Sequence, residues 1–435
     1  MTVYNVVSFC GIFVLIFFAW LLSPNKRVVN MRLILGGITI QMALALFIFA
    51  FPPGARVFLW LNDAAVAVME SASAGAEFVF GRLALPPGTV NEQGQESLGF
   101  FLAFQGLPTI IFFSALVAIF YHAGIMQAVI KAFASFFSRF MHISGAESLC
   151  ASANIFVGIE STLTVKPHLD SMTRSELTTV LTAGMATVAS NVLALYVFSL
   201  RDLFPTIAAH LISASFLSAP AAVIMAKTIM PETDEPKTLG RNVRVHYKRE
   251  RTLVEAIIRG SNEAVRLIVG IVALLIAVLG LVELIDLILT GIGGYVNSSA
   301  GLSVDWSLAG LLGYIFYPIA LIIGVPPADA LAVGKIIGER MIVTEVTAYQ
   351  DLAAAMAGDI LTHGRSAVIC AYALCGFAHI ASLAIFIGGI TAVAPKTTHT
   401  LSKIGPRALI AATLACLMTA CIAGTFYSEG SLIFG

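Results

Sequence analysis

Charge is scarce in this sequence: 25 Lys and Arg and 25 Asp and Glu are spread through 435 residues, and the net charge is zero. That balance excludes a nucleic-acid partner, since gripping a phosphate backbone takes a concentrated basic surface. Cysteine is sparse too. The six (Cys10, Cys150, Cys370, Cys375, Cys416 and Cys421) fall in apolar stretches without zinc or disulfide spacing and are read as small, buried, apolar residues. No His-Glu-x-x-His and no nucleophile elbow occurs, so neither an enzyme nor a resident cofactor is expected.

Apolar residues are plentiful, 58% of the chain, too many for a soluble domain of this length. Runs long enough to cross a bilayer occur at 6–22, 33–51, 108–136, 177–200, 205–229, 264–289, 366–393 and 407–427. The first lacks a basic leader and a small-residue cleavage site, and is read as a retained span. Segments 142–168 and 308–348 are interrupted by Gly, Pro and charged residues, as expected of re-entrant hairpins. Residues 57–81 mix apolar residues with Asn62, Asp63 and Glu70, which predicts an interfacial helix; the alternative is a bent ninth span. The expected fold is all-α and membrane-embedded, with eight transmembrane helices and two re-entrant hairpins. Residues 1–107 form N-terminal spans and the interfacial helix, and 108–435 the core, with 108–136 and 264–289 as scaffold spans.

Basic residues should collect on the cytoplasmic side. With both termini outside, Lys26, Arg27 and Arg32 fall inside, as do Lys131, Arg139, Lys166 and Arg174. So do Arg241, Arg244, Lys248, Arg249 and Arg251, and finally Lys396, Lys403 and Arg407. Reading either hairpin as a single span would invert everything after it.

An internal repeat carries the functional reading. Gly-x-Ala-x-x-Ala-Ser occurs at 184–190 and again at 376–382, each copy preceded by Arg-Ser (Arg174-Ser175, Arg365-Ser366) and, further upstream, by Glu-x-Thr at Glu160 and Glu345. The units, 142–229 and 308–427, have opposite orientation, an arrangement that typically encloses a substrate site near the midplane. Small residues that merely let helices approach are the alternative, and the matched Glu and Arg-Ser offsets weigh against it. Glu160 and Glu345 are candidate substrate ligands, because an intramembrane carboxylate needs a cavity or a partner; the alternative is structural pairing with Lys166, Arg174 or Arg340. His379 stands where the first copy has Thr187, and could instead be a satisfied packing residue. Glu147, Glu339 and Arg340 are expected to end helices or face water. Glu283 and Asp286 are expected to be solvated.

Ser-Gly-Ala-Glu-Ser at 144–148, Ala-Asn-Ile-Phe-Val-Gly at 153–158, Met-Thr-Arg-Ser-Glu-Leu at 172–177, Gly-Tyr-Ile-Phe-Tyr-Pro at 313–318 and Ala-Tyr-Ala-Leu-Cys-Gly-Phe-Ala at 371–378 resemble the concentrative nucleoside transporters. The similarity runs from about residue 100 to the end. It implies a homotrimer in a bacterial inner membrane that imports a nucleoside or related small polar molecule with sodium by alternating access. It also implies sodium ligands at Asn154, the Val157 carbonyl, Thr187 and the Val188 carbonyl. The substrate residues it implies are Glu160, Glu345, Phe377, His379 and Ser382. The pocket departs from the family pattern: Gly158-Ile-Glu-Ser-Thr162 is one residue shorter and lacks the base-reading Gln, Thr344-Glu345-Val346 replaces Asn-Glu-Phe, and His379 replaces an Asn. Proton coupling, and a gated pore or receptor, are the competing readings.

Overall fold

A computed structural model describes residues 2–91, 94–241, 243–246 and 250–434, and among them every regular element is a helix. Lys248 and Arg249 of the basic cluster lie outside the described residues. The N-terminal part comprises α1 (Val3–Leu21), α2 (Met31–Ala45), α3 (Pro52–Phe80) and the short α4 (Leu102–Gln105). Then come α5 (Leu107–Ala123) and α6 (Ile125–Met141). The first hairpin is α7 (Gly145–Ala153) with α8 (Ser161–Thr164) and α9 (Lys166–Leu169), followed by α10 (Arg174–Ala186), α11 (Ser190–Leu200) and α12 (Ile207–Ile229). Beyond α13 (Leu253–Ala300) lie α14 (Leu308–Ile322), α15 (Pro327–Arg340), α16 (Glu345–Ala357), α17 (Gly364–Leu374), α18 (Ile380–Val393) and α19 (Thr398–Phe426).

Local sequence sets these boundaries. Ser144 with Glu147 and Thr173 with Glu176 form capping boxes at the starts of α7 and α10, and Thr252 and Ser307 cap α13 and α14. Seven stretches among the described residues are long and apolar enough to cross a bilayer, including 174–200, which carries the break between α10 and α11. Neither α17 nor α18 is long enough by itself. End to end around their own break they supply the eighth span, and the chain is an all-α membrane protein with two re-entrant hairpins in inverted repeats.

Four boundaries differ from the sequence expectation. The run 108–136 is not one span, because Gly124 takes a left-handed conformation (φ 82°) that ends α5. Beyond it, Met126, Ile130, Ala134, Phe137 and Met141 bury one face of an amphipathic α6 that packs on α7. The hairpin expected at 308–348 is displaced: Gly324-Val325-Pro326 joins α14 to α15, and the tip at 341–344 lies between Arg340 and Glu345, so the re-entrant pair is α15 and α16. Thus α14 stands to α15 as α6 stands to α7, and the first repeat starts near 125 rather than 142. The span 264–289 is the middle of a 48-residue helix. At 1.5 Å per residue it is about 72 Å long, over twice the hydrocarbon thickness of about 30 Å.

Residues 57–80 of the expected interfacial helix belong to α3, an unbroken 29-residue helix resting on α5 and α12, and Gly81 caps its end. Asn62 within it is buried, and its Oδ1 accepts the Ala209 N–H at 3.2 Å near the start of α12. Cys10 is exposed on the outer face of α1, unlike the five buried cysteines. Glu147 and Arg340 do lie at helix ends, but neither faces water; they are 1% and 0% exposed. Glu147 pairs with Lys227 at 2.5 Å, which in turn reaches Glu232 at 3.0 Å. Asp286 bonds the Leu308 N–H at 2.6 Å and so steers the entry to α14.

Candidate functional site

The two broken spans cross at their repeated motifs. A Cβ on Gly376 (φ 152°) would lie 2.9 Å from the Ala186 carbonyl, and one on Gly184 would lie 2.3 Å from the Phe386 ring. Only glycine permits either approach. The Cys416 thiol of α19 reaches the Ala186 carbonyl at 3.8 Å and the Cys375 carbonyl at 3.4 Å, touching both breaks.

At the first break, Thr187 is extended and ends α10; its hydroxyl donates back to Ala183 C=O at 2.8 Å. The hairpin tip closes onto it through Ser190 N–H to Phe156 C=O, 3.1 Å. Asn154, at the end of α7, donates to Cys150 C=O at 3.0 Å and accepts the Ser161 hydroxyl at 2.9 Å. Asn154, Val157, Thr187 and Val188 are all buried, at 0%, 7%, 1% and 0% exposure. Amide, hydroxyl and freed carbonyl oxygens suit a weakly bound hard monovalent cation, because each keeps a second lone pair.

At the second break the chemistry is ionic. Glu345 opens α16, where the helix dipole favours a carboxylate. Its Oε1 accepts the Tyr196 hydroxyl at 2.7 Å, and its Oε2 lies 2.9 Å from His379 Nε2. His379 is also the N-cap of α18: Nδ1 accepts the Ser382 N–H at 3.3 Å, which leaves Nε2 to carry the proton toward Glu345. The Ser382 hydroxyl sits 2.6 Å from the same Nε2.

All five substrate candidates, Glu160, Glu345, Phe377, His379 and Ser382, line one cavity of about 120 Å³. Its other walls are mainly apolar, with Ile159, Val192 and Phe386 among them and Leu267, Ile271 and Leu274 from α13. A second cavity of about 350 Å³ shares Gly158, Glu160, Asn191 and Leu267 with the first and continues past Lys166 and His246 to Arg259. Glu160 therefore stands between the two. Neither Glu160 nor Glu345 pairs with Lys166, Arg174 or Arg340 among the described residues; Glu345 takes His379 and Tyr196 instead.

Sequence reasoning missed Tyr196 and Tyr349. Tyr196 and Tyr349 stack with centroids 4.5 Å apart, and the Tyr349 hydroxyl bonds Ala371 C=O at 2.9 Å. A lone tyrosine in an apolar run was the available signal, since its buried hydroxyl must find a partner. Outside the membrane-spanning segments, a hydrogen bond from Lys335 holds the Asp305 carboxyl below its ordinary range.

Comparison with known proteins places this geometry. Residues 10–83 match the N-terminus of the Na+ dependent nucleoside transporters, 103–203 a gate domain described as nucleoside recognition, and 210–424 the C-terminus of the same family. The likeness therefore reaches well upstream of residue 100, where the motifs had suggested it begins. An uncharacterized transporter of Haemophilus influenzae is 36% identical over 98% of both chains. Solute carrier family 28 member 3 of Mus musculus is 36% identical over 97% of this chain, which spans 58% of the mouse protein. Sodium/nucleoside cotransporter 1 of Rattus norvegicus is 33% identical over 97% of this chain and 64% of its own length. The solved structure of CNTnw in an inward-facing substrate-bound state superposes with a TM-score of 0.86 at 32% identity, covering 97% of this chain and 98% of that one. The chain belongs to the Na+ dependent nucleoside transporter family, whose members are membrane transporters and not enzymes.

Proposed function

We propose that the protein is a sodium-coupled symporter that carries a nucleoside or a related small polar molecule into the cell by alternating access. The observation that carries this reading is the meeting of both repeats at one buried cavity, with a neutral oxygen cluster beside it. Asn154, Val157, Thr187 and Val188 hold the sodium ion, and Glu160, Glu345, Phe377, His379 and Ser382 hold the substrate. Phe377 offers a face for a base, and the carboxylates and Ser382 offer acceptors for sugar hydroxyls. Sodium bound at the first break tightens the tip of hairpin one and orients Glu160. That is how an ion gradient becomes substrate affinity. The protein sits in a bacterial inner membrane with both termini outside and assembles as a homotrimer.

The His379–Glu345 contact favours a second reading, in which a proton carried by this pair drives the cycle. Uptake of radiolabelled uridine and adenosine into proteoliposomes separates the readings. A symporter accumulates label above equilibrium under an inward sodium gradient. Accumulation under a proton gradient alone supports the second reading, and mere equilibration under both contradicts coupled transport.

A further inference from the structure

The hairpin tips meet the broken spans at matching points. Phe156 C=O accepts Ser190 N–H at 3.1 Å, and Met341 C=O accepts Ile380 N–H at 3.3 Å. Each accepting carbonyl lies the same distance in sequence before its carboxylate, Glu160 or Glu345. The surroundings differ: at the first junction Glu160 is accompanied by the neutral side chains of Asn154, Ser161 and Thr187, whereas the second adds Arg340, the last residue of α15, with no exposed surface.

Arg340 Nη1 donates to Ala373 C=O at 2.7 Å, beside the Tyr349 bond to Ala371 C=O and the Cys416 bond to Cys375 C=O. These are the open carbonyls at the C-terminal end of α17, where roughly half an elementary negative charge collects. Nε and Nη2 are buried without an oxygen or nitrogen partner among the described residues, and the Cys416 thiol lies beside the guanidinium. No carboxylate pairs with Arg340 among the described residues; its bonded oxygen is the Ala373 carbonyl at the end of α17, with the Cys416 sulfur beside it.

We propose that Arg340 is a positioning residue that serves the second junction as a tethered cation, in the electrostatic role that the first junction leaves to a mobile ion. The comparison with a mobile ion rests on the transport reading above. Arg340 binds the end of α17, and the adjacent Met341 binds the start of α18, so hairpin two is stapled to both halves of the broken span. That staple sets the separation of Glu345 from His379. The second junction consequently needs no ion from solution.

The test uses purified full-length protein carrying Arg340→Ala, Arg340→Met or Arg340→Lys, with thermal unfolding and uridine binding as readouts. Arg340→Lys keeps uridine affinity within about threefold of wild type, and Arg340→Ala and Arg340→Met lose about tenfold or more. Methylguanidinium at millimolar concentration restores the melting temperature and affinity of Arg340→Ala, while tetramethylammonium at the same ionic strength does not. Arg340→Met matching Arg340→Lys in both readouts would overturn the proposal, since packing would then suffice without charge. If Arg340→Ala does not fold, the Lys and Met variants decide in the same way. Thermal unfolding needs no substrate, so a protein that bound no uridine would count against the transport reading while Arg340 was still judged by the unfolding series.

Discussion

The two hairpin tips occupy equivalent places and are chemically unlike. Around the first, Asn154, Ser161 and Thr187 are neutral, and the Glu160 carboxylate lines the cavity, accepting backbone N–H groups of Gly158 and of Glu160 itself and forming no ion pair among the described residues. Around the second, Glu345 is engaged by Tyr196 and His379, and Arg340 is fixed on the end of α17. Duplication determines where two broken helices meet; side chains determine what neutralises the meeting point. On the proposed reading, the first junction takes its cation from solution and the second has Arg340 in its place.

That contrast breaks most visibly at Glu345. Glu345 is held by two contacts, to Tyr196 and His379; a hydrogen bond to a charged group is worth about 1.5–3 kcal/mol, and about 1.4 kcal/mol is a decade in affinity. Glu345→Gln should therefore lower uridine affinity by two decades or more with the fold intact, measured by equilibrium binding; affinity near wild type would place Glu345 outside the site. His379→Asn comes next. Asn keeps the N-cap of α18 but releases Glu345, so preference for uridine over 2′-deoxyuridine should rise by about tenfold or more. An unchanged ratio in a competition assay would remove His379 from specificity.

Glu160→Gln should cost less than Glu345→Gln, about tenfold in uptake, because no side-chain partner is stranded and one charged hydrogen bond to substrate is worth about 1.5–3 kcal/mol. Equal losses at both positions would erase the asymmetry between the tips. The smallest effect is expected at Asp305, outside both tips. Its half-exposed pair with Lys335 is worth at most about 1 kcal/mol. Its carboxyl titrates lower in the folded protein than in the unfolded chain, so its stabilisation is complete above about pH 3.9 and fades as pH falls through the depressed folded value. Asp305→Asn should flatten that part of the acid unfolding curve; an identical curve would show that the pair contributes nothing.

Spans were legible because twenty apolar residues in a row have few alternatives to a bilayer. Breaks were less so. Gly124 looks like any glycine in an apolar run, and only its left-handed backbone turns α5 into α6. Gly324-Val325-Pro326 breaks the apolar segment more visibly than the true tip at 341–344, whose residues are Met, Ile, Val and Thr between Arg340 and Glu345. Within the site, the repeat and the family resemblance singled out Glu160, Glu345, Phe377, His379 and Ser382, which are among the residues that line the cavity. Tyr196 and Arg340 were not legible as partners: Tyr196 meets Glu345 149 residues away, and Arg340 meets a carbonyl 33 residues away, contacts that no local pattern encodes.

The division between a mobile and a tethered cation is tested most directly by titrating sodium against uridine uptake in proteoliposomes for wild type and Asn154→Ala. Wild type should show a simple saturable sodium dependence. Asn154→Ala should need about tenfold more sodium, the loss expected from one oxygen ligand worth about 1–2 kcal/mol. Superimposable sodium curves would contradict the assignment of the mobile cation to the first junction.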